Sequence, residues 1–188
     1  MNKIILASGS PRRKQILELA HIDFEIKVIP TSEEYPAGIK PSEIAIYIAK
    51  NKALAVRDSL STLETIVAAD TIVLIEGKVL GKPADREEAI DMLTLLSGKT
   101  HQVITGVYVS KGEKEFTFHS ITDVTFKNLN QEQISYYIDT CKPFDKAGSY
   151  AIQEWIGVIG IESINGDYYN VLGLPLNKLL DILHIIEE

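Results

Sequence analysis

Two hydroxyls and two guanidinium groups crowd the stretch Leu6-Ala7-Ser8-Gly9-Ser10-Pro11-Arg12-Arg13. Ser8 and Ser10 can donate to an anionic oxygen, and Arg12 and Arg13 add permanent positive charge in a fork that matches phosphate. The chemistry these residue types suit is phosphate binding. Further along, carboxylates at Glu33 and Asp70 and lysines at Lys52 and Lys82 stand where packing alone does not ask for them. Hydrolysis of a phosphate ester or anhydride needs cations to offset charge on the equatorial oxygens. It also needs carboxylates to hold a divalent metal, and a base to orient or deprotonate water. The residues present can fill each role. Each has a plainer reading as well: Ser-Pro capping a helix above solvated arginines, Glu33 solvated on a loop, Lys52 snorkelling past a core edge, and Asp70 with Lys82 as a surface ion pair of under about 1 kcal/mol.

The elements that must position these groups are readable around them. Ile4, Ile5 and Leu6 read as a short buried strand and Lys14 to Leu19 as a helix, which makes the Ser8–Arg13 stretch a strand-to-helix turn. Ser10 is expected at the N-cap and Pro11 at the first helical position. Open backbone N–H groups at that helix end would face the same volume as the side chains. Alternation of Ile22, Phe24, Ile26 and Val28 predicts a strand across His21 to Ile29, closed by Pro30, followed by a loop from Thr31 to Lys40 that carries Glu33 and Glu34. Ser42 is expected to cap a helix to about Ser59, with Ile44, Ile48 and Val56 on one stripe and Lys52 at its missing step. That lysine either snorkels or points its ammonium into a cleft containing anions.

Thr65 to Ala69 predicts a buried strand that delivers Asp70, and Thr71 to Ile75 a hairpin with Val79 to Pro83 about Glu76-Gly77, placing Thr71 across from Lys82. Asp85 and Glu88 resemble a capping box, and Gly98 a helix stop. His101 to Val109 and Glu115 to Phe126 read as a long hairpin, and Asn130 to Thr140 as a helix. Tyr150 to Gln153 and Gly157 to Ile164 read as strands, Asn165-Gly166 as a hairpin turn, and Pro175 as the start of a terminal helix.

Composition narrows the class. A chain of 188 residues with 45% hydrophobic and 24% charged residues is expected to fold as a single domain, 1–188, and disorder is excluded. A net charge of -7 argues against nonspecific nucleic-acid binding, so any phosphate site is local. A single cysteine, Cys141, allows no internal disulfide and fits a reducing compartment. His101 and His119 have no partners at zinc-ligand spacing. No signal peptide and no membrane-length apolar run is visible, and a cytoplasmic protein is expected.

Six blocks carry a resemblance: Leu6 to Arg13, Ala69-Asp70-Thr71, Gly81-Lys82-Pro83, Leu96-Ser97-Gly98, Asp145-Lys146-Ala147-Gly148 and Asn170-Val171-Leu172-Gly173-Leu174-Pro175. In order and over nearly the whole chain, they resemble the signature blocks of the Maf family of nucleoside triphosphate pyrophosphatases. The resemblance implies a mixed α/β fold in which an elongated, curved mixed β-sheet is flanked by helices and two lobes surround a cleft, similar to the inosine triphosphate pyrophosphatases. It implies cleavage between the α and β phosphorus atoms of a nucleoside triphosphate, giving monophosphate and pyrophosphate, with Mg2+ or Mn2+. A homodimer is implied too, and removal of non-standard nucleotides is a possible purpose.

Residue by residue, the family's catalytic base matches Asp70, and its phosphate-binding and charge-stabilising positions match Ser8, Arg13, Lys52 and Lys82, with Ser10 in the same turn. Its other site carboxylate matches Glu33, so Glu33 and Asp70 are the implied metal ligands. The subfamily-marking positions read Arg12, Thr71 and Gln153, which resembles the enzymes acting on dTTP and UTP. A glutamine amide, donor and acceptor at once, can match the N3–H and O4 edge of uracil or thymine. The chain departs from the family where Gln153 is followed by Glu154-Trp155 instead of a small residue, which sets a negative charge beside a base-reading position. Competing expectations are a 7-methyl-GTP pyrophosphatase, whose branch carries tryptophan at the position of Arg12, and a nucleotide-binding regulator of septum formation. The second would not need Asp70 and Glu33.

Overall fold

Seven described strands join in one mixed sheet, in a computed structural model that describes residues 3–60 and 64–187. The strands are β1 (Ile4–Leu6), β2 (Phe24–Ile26), β3 (Thr65–Ile75), β4 (Lys78–Leu80), β5 (Thr100–Lys111), β6 (Lys114–Phe126) and β7 (Ile161–Asn165). Their order is β2-β1-β3-β5-β6-β7, with β4 paired to β3 outside that path. β1 runs parallel to β2 and β3, whereas β4 and β7 are antiparallel to β3 and β6. The described helices are α1 (Pro11–Leu19), α2 (Pro41–Arg57), α3 (Arg86–Leu96), α4 (Gln131–Cys141), α5 (Trp155–Gly160), α6 (Tyr168–Leu172) and α7 (Leu176–Glu187). The mixed α/β class is the one expected. None of the described helices is long and apolar enough to cross a membrane.

The chain divides into two compact units. The first takes Met1–Thr71, Thr105–Ser120 and Gly173–Glu188, and the second takes Ile72–Ile104 and Ile121–Leu172. In the first, Ile5, Ala7, Ile66, Ala68 and Tyr108 from the sheet pack on Ala49, Ala53 and Val56 of α2. Small residues on α2 let it lie close to the sheet. A Cβ added to Gly106 would stand 2.3 Å from the Ile46 backbone nitrogen, so glycine is required where β5 passes under the helix. β1 is buried at every residue, as a parallel strand with a neighbour on each side must be.

In the second unit, Val73, Leu93, Leu96, Phe126, Ile134, Tyr137, Tyr150 and Ile156 lie in one core cluster. The β3–β4 hairpin has the expected register, Val73↔Leu80 to Ile75↔Lys78, and its turn residues Glu76 and Gly77 both have positive φ (51° and 78°). This matches the two-residue turn whose twist suits a hairpin. Asp85 caps α3 by accepting from the Glu88 N–H at 2.9 Å, and Gly98 follows the helix with φ 68°.

Several local expectations are corrected. The β2 strand covers Phe24–Ile26 only, because its partner β1 has only Ile4 to Leu6 to offer, and His21 belongs to the end of α1. Its φ of 54°, with His21 N–H bonded to the Glu18 carbonyl and Ile22 N–H to the Leu17 carbonyl, closes the helix in a Schellman arrangement. α2 begins at Pro41 and not after Ser42; Lys40 holds the N-cap position and the Glu43 carboxylate reaches back to its N–H at 3.1 Å. Tyr150 to Gln153 do not form a strand, since the Ala151 N–H that a ladder would use goes to the Tyr137 hydroxyl at 3.1 Å. Residues 155–160 are the helix α5, with Gly157 pressed so close to the Ile152 carbonyl that a Cβ would lie 1.8 Å from its oxygen. Asn165-Gly166 is not a hairpin turn. The Asp167 N–H bonds to Thr122 Oγ1 at 3.1 Å, and α6 follows.

Candidate active site

The turn from β1 into α1 is built by two features of its sequence. Pro11 occupies the first helical position, and Ser10 stands at the N-cap, although its hydroxyl makes no capping bond as expected of it. The hydroxyl is therefore not spent on its own helix. Ser8 Oγ accepts from the Ser10 N–H at 3.3 Å and from Arg13 Nη1 at 2.9 Å. With both lone pairs engaged, the hydroxyl hydrogen is what Ser8 can offer, and it suits an anionic oxygen. Arg12 Nε is buried without a hydrogen-bond partner in the same turn. A buried donor of this kind is costly unless a ligand completes it.

Arg13 ties this turn to two distant segments. It is buried, and its Nε donates to the Gly173 carbonyl at 2.7 Å while its Nη2 donates to Thr71 Oγ1 at 3.0 Å. Thr71 Oγ1 is also 2.9 Å from Thr105 Oγ1. One guanidinium thus gathers the Ser8 turn, the middle of β3 and the segment before α7. Gly173 has φ 107°, and a Cβ there would come within 3.2 Å of Thr71 Oγ1, so glycine is needed on both counts. Burial lowers the Arg13 pKa to about 10, opposed by the nearby charges of Asp70 and Glu33 and assisted by Arg12. The group stays cationic at neutral pH.

β3 carries Asp70 to its position after the fully buried run Val67 to Ala69. Lys52 comes to meet it from α2, at the gap in the stripe Ile44, Ile48 and Val56. Lys52 Nζ lies 2.6 Å from Asp70 Oδ1 and 2.9 Å from Glu33 Oε1. Its side chain is 19% exposed, so of the two readings the inward-pointing ammonium is the one adopted, and the anions it meets are these carboxylates. The first unit therefore brings together Ser8, Arg13 and Thr71 by direct bonds, and Glu33, Lys52 and Asp70 by ion pairs.

Lys82 and Gln153 belong to the second unit. Lys82 lies two residues past the last ladder pair of β4, in a turn whose Gly81 carbonyl accepts from the Gly148 N–H at 3.0 Å. Gly148 has φ 68°, and a Cβ would meet Val73 Cγ2 at 2.9 Å. The blocks Gly81-Lys82-Pro83 and Asp145-Lys146-Ala147-Gly148, far apart in the chain, are thus one structural feature. Gln153 is exposed. Sequence reasoning missed its surroundings: Glu154 pairs with Lys146 and accepts from Tyr137, and no motif or spacing signals that triad. It also assigned no part to Asn170, which is fully buried and donates to the Val103 carbonyl and Thr122 Oγ1. Its place in a quoted block was the available signal.

The profile of the family described as Maf-like protein matches residues 3–186. The chain belongs to that family. It is 50% identical over 178 residues to a Bacteroides fragilis protein named dTTP/UTP pyrophosphatase, covering 94% of this chain and 92% of that one. It is 54% identical over 184 residues to a Cytophaga hutchinsonii protein of the same name, covering 96% of this chain and 82% of that one. Among solved structures it is similar to the Ham1 protein of Staphylococcus aureus, with 14% identity, a TM-score of 0.46 and coverage of 66% of this chain and 72% of that one.

Proposed function

We propose that this chain is a hydrolase that cleaves dTTP and UTP between the α and β phosphorus atoms, releasing the monophosphate and pyrophosphate. Its relatives of about half identity carry the name dTTP/UTP pyrophosphatase over nearly their full length. The observation that carries the mechanism is the Glu33–Lys52–Asp70 group: two carboxylates converging on one ammonium next to the cationic Arg13.

In this reading Ser8, Ser10, Arg12 and Arg13 bind phosphate oxygens, Ser8 through its remaining O–H and Arg12 through its unpartnered Nε. Lys52 and Lys82 offset charge that builds on the transferring group. Asp70 takes or orients the proton of the attacking water, and Lys52 holds its carboxylate in place. Gln153 reads the uracil or thymine edge, and Thr71 contributes to substrate choice from the position where Arg13 fixes it.

A divalent cation, Mg2+ or Mn2+, belongs to the proposal, with Glu33 and Asp70 as its protein ligands. The donors fit: both are hard oxygen ligands, and both already converge on one cationic nitrogen. Among the described residues no group of three or more His, Cys, Asp or Glu could hold a metal. Two carboxylates completed by substrate oxygens and water are the way such a cation is commonly held. When bound, it would neutralise phosphate charge.

The reading extends to a single domain over 1–188, supported by a family profile that covers residues 3–186, and to a homodimer resident in the cytoplasm. The test is a product assay over a panel of triphosphates with Mg2+ or Mn2+. Pyrophosphate from dTTP and UTP, well above that from purine triphosphates, is expected. Release of orthophosphate, or a preference for 7-methyl-GTP, would overturn the assignment.

A further inference from the structure

Gln153 has an anchored neighbour on each side, and both anchors converge on one phenol. Before it, the Ala151 N–H donates to Tyr137 Oη at 3.1 Å; after it, Glu154 Oε2 accepts from the Tyr137 O–H. The other Glu154 oxygen, Oε1, lies 3.4 Å from Lys146 Nζ, which also reaches Asp145 Oδ1 at 2.7 Å. Tyr137 is fully buried on α4 and Lys146 is 8% exposed, so these are not surface contacts with solvent on both sides. The Glu154 N–H closes the turn on the Ala151 carbonyl at 3.1 Å, and Ile152 is buried beneath it. α4 is itself held firmly. Asn130 and Gln133 exchange capping bonds at its start, and Asp139 takes both arms of the Arg86 fork at 2.7 and 2.8 Å.

Glu154 sets a negative charge directly beside Gln153. Both of its carboxylate oxygens are engaged, one by a cation and one by a phenol. We infer that Glu154, with Tyr137 and Lys146, is a positioning residue that locks the Ala151–Glu154 turn and so fixes the backbone from which the exposed Gln153 side chain reaches the uracil or thymine edge. The inference rests on the base-reading role of Gln153 given under the proposed function. Its chemical content is definite. Uracil presents an N3–H donor and an O4 acceptor, whereas cytosine presents an N3 acceptor and an N4 donor. A side chain delivered from a fixed turn meets the edge within its reach, and one delivered from a loosened turn discriminates less between the two.

The experiment compares kcat/KM for UTP and CTP in the full chain with Mg2+, for wild type, Tyr137→Phe, Glu154→Ala, Glu154→Gln and Gln153→Ala. Tyr137→Phe and Glu154→Ala are each expected to lower the UTP/CTP ratio roughly tenfold, the weight of about one well-made hydrogen bond, and to do so mainly through KM for UTP. Glu154→Gln keeps an acceptor for the phenol and is expected to hold the ratio within about twofold of wild type, on the same reasoning. A merely structural role would reduce both substrates in proportion and leave the ratio unmoved. Glu154→Ala trims a partly exposed side chain and gives the answer even where Tyr137→Phe fails to fold. An unchanged ratio in Glu154→Ala, with a collapsed ratio in Gln153→Ala, overturns the tether and leaves the base-reading role standing. An unchanged ratio in Gln153→Ala removes that role and the inference with it.

Discussion

Lys52 Nζ stands 2.6 Å from Asp70 Oδ1, and the two residues reach each other from opposite kinds of element, a helix whose stripe lacks one apolar step and a strand that is buried up to the residue before. The pair is largely shielded, with side chains 19% and 11% exposed, so its Coulombic coupling is stronger than that of a surface bridge.

For Asp70 the expected result is a loss of chemistry without a loss of binding. A carboxylate that orients or deprotonates water acts mainly in the transition state, so Asp70→Asn should fold, bind dTTP with metal, and lose at least about 100-fold in kcat. Steady-state kinetics beside a binding measurement checks this. Partial recovery at raised metal concentration would assign Asp70 chiefly to metal binding. Near-wild-type kcat would remove it from the mechanism and favour Glu33.

Lys52→Ala and Lys82→Ala should lower turnover more than they lower the melting temperature. Melts paired with steady-state kinetics decide this, and strongly destabilised variants whose folded fraction is fully active would make the lysines structural.

Arg13→Lys tests the difference between a charge and a fork. Lysine keeps the cation but cannot serve Ser8 Oγ, Thr71 Oγ1 and the Gly173 carbonyl together. The variant should lose about 1–3 kcal/mol of stability in urea titrations, from buried acceptors left unmatched. A variant as stable as wild type would show that these bonds are replaced without cost.

His101 gives a stability prediction in the acid range. It is buried at 1% exposure, with Nε2 2.7 Å from the Tyr150 hydroxyl and edge contacts to Phe126 and Tyr150. Burial pushes its pKa down to about 4, against a smaller opposing effect of Asp123. Between about pH 6.5 and 4 the unfolded chain binds a proton that the folded chain refuses, so stability present above 6.5 is lost as pH falls through this window, by up to roughly 3 kcal/mol. Denaturation across pH 4–7 should show this slope. The double variant His101→Phe, Tyr150→Phe, which leaves no orphaned hydroxyl, should flatten it; an unaltered slope would place the acid sensitivity elsewhere.

How much of this was legible beforehand depends on the range of the interaction. The turn at Ser8 to Arg13, the Glu76-Gly77 hairpin and the Asp85 cap are local, governed by dihedral preferences and bonds between near neighbours. The gap at Lys52 was legible as a broken stripe, though not its partners. Tyr150 to Gln153 misled because an apolar run signals burial without saying whether a strand ladder or a side chain such as Tyr137 will take the backbone donors. Arg13 was read as a phosphate ligand from its charge and motif. Its bonds to Thr71 and Gly173 depend on residues 58 and 160 positions away, beyond any local pattern.

That last separation bears on how the protein is made. The Ser8–Arg13 turn is synthesised before the carbonyl that orients its arginine, which belongs to Gly173, 160 positions further along and in the same unit. Until then Arg13 lacks one of its acceptors and the first unit lacks α7, which packs Leu179, Leu183 and Ile186 out of solvent. A nascent chain arrested before Gly173 should be sensitive to protease throughout the first unit and silent toward dTTP. A chain arrested once α7 has emerged should acquire resistance and activity in the same step.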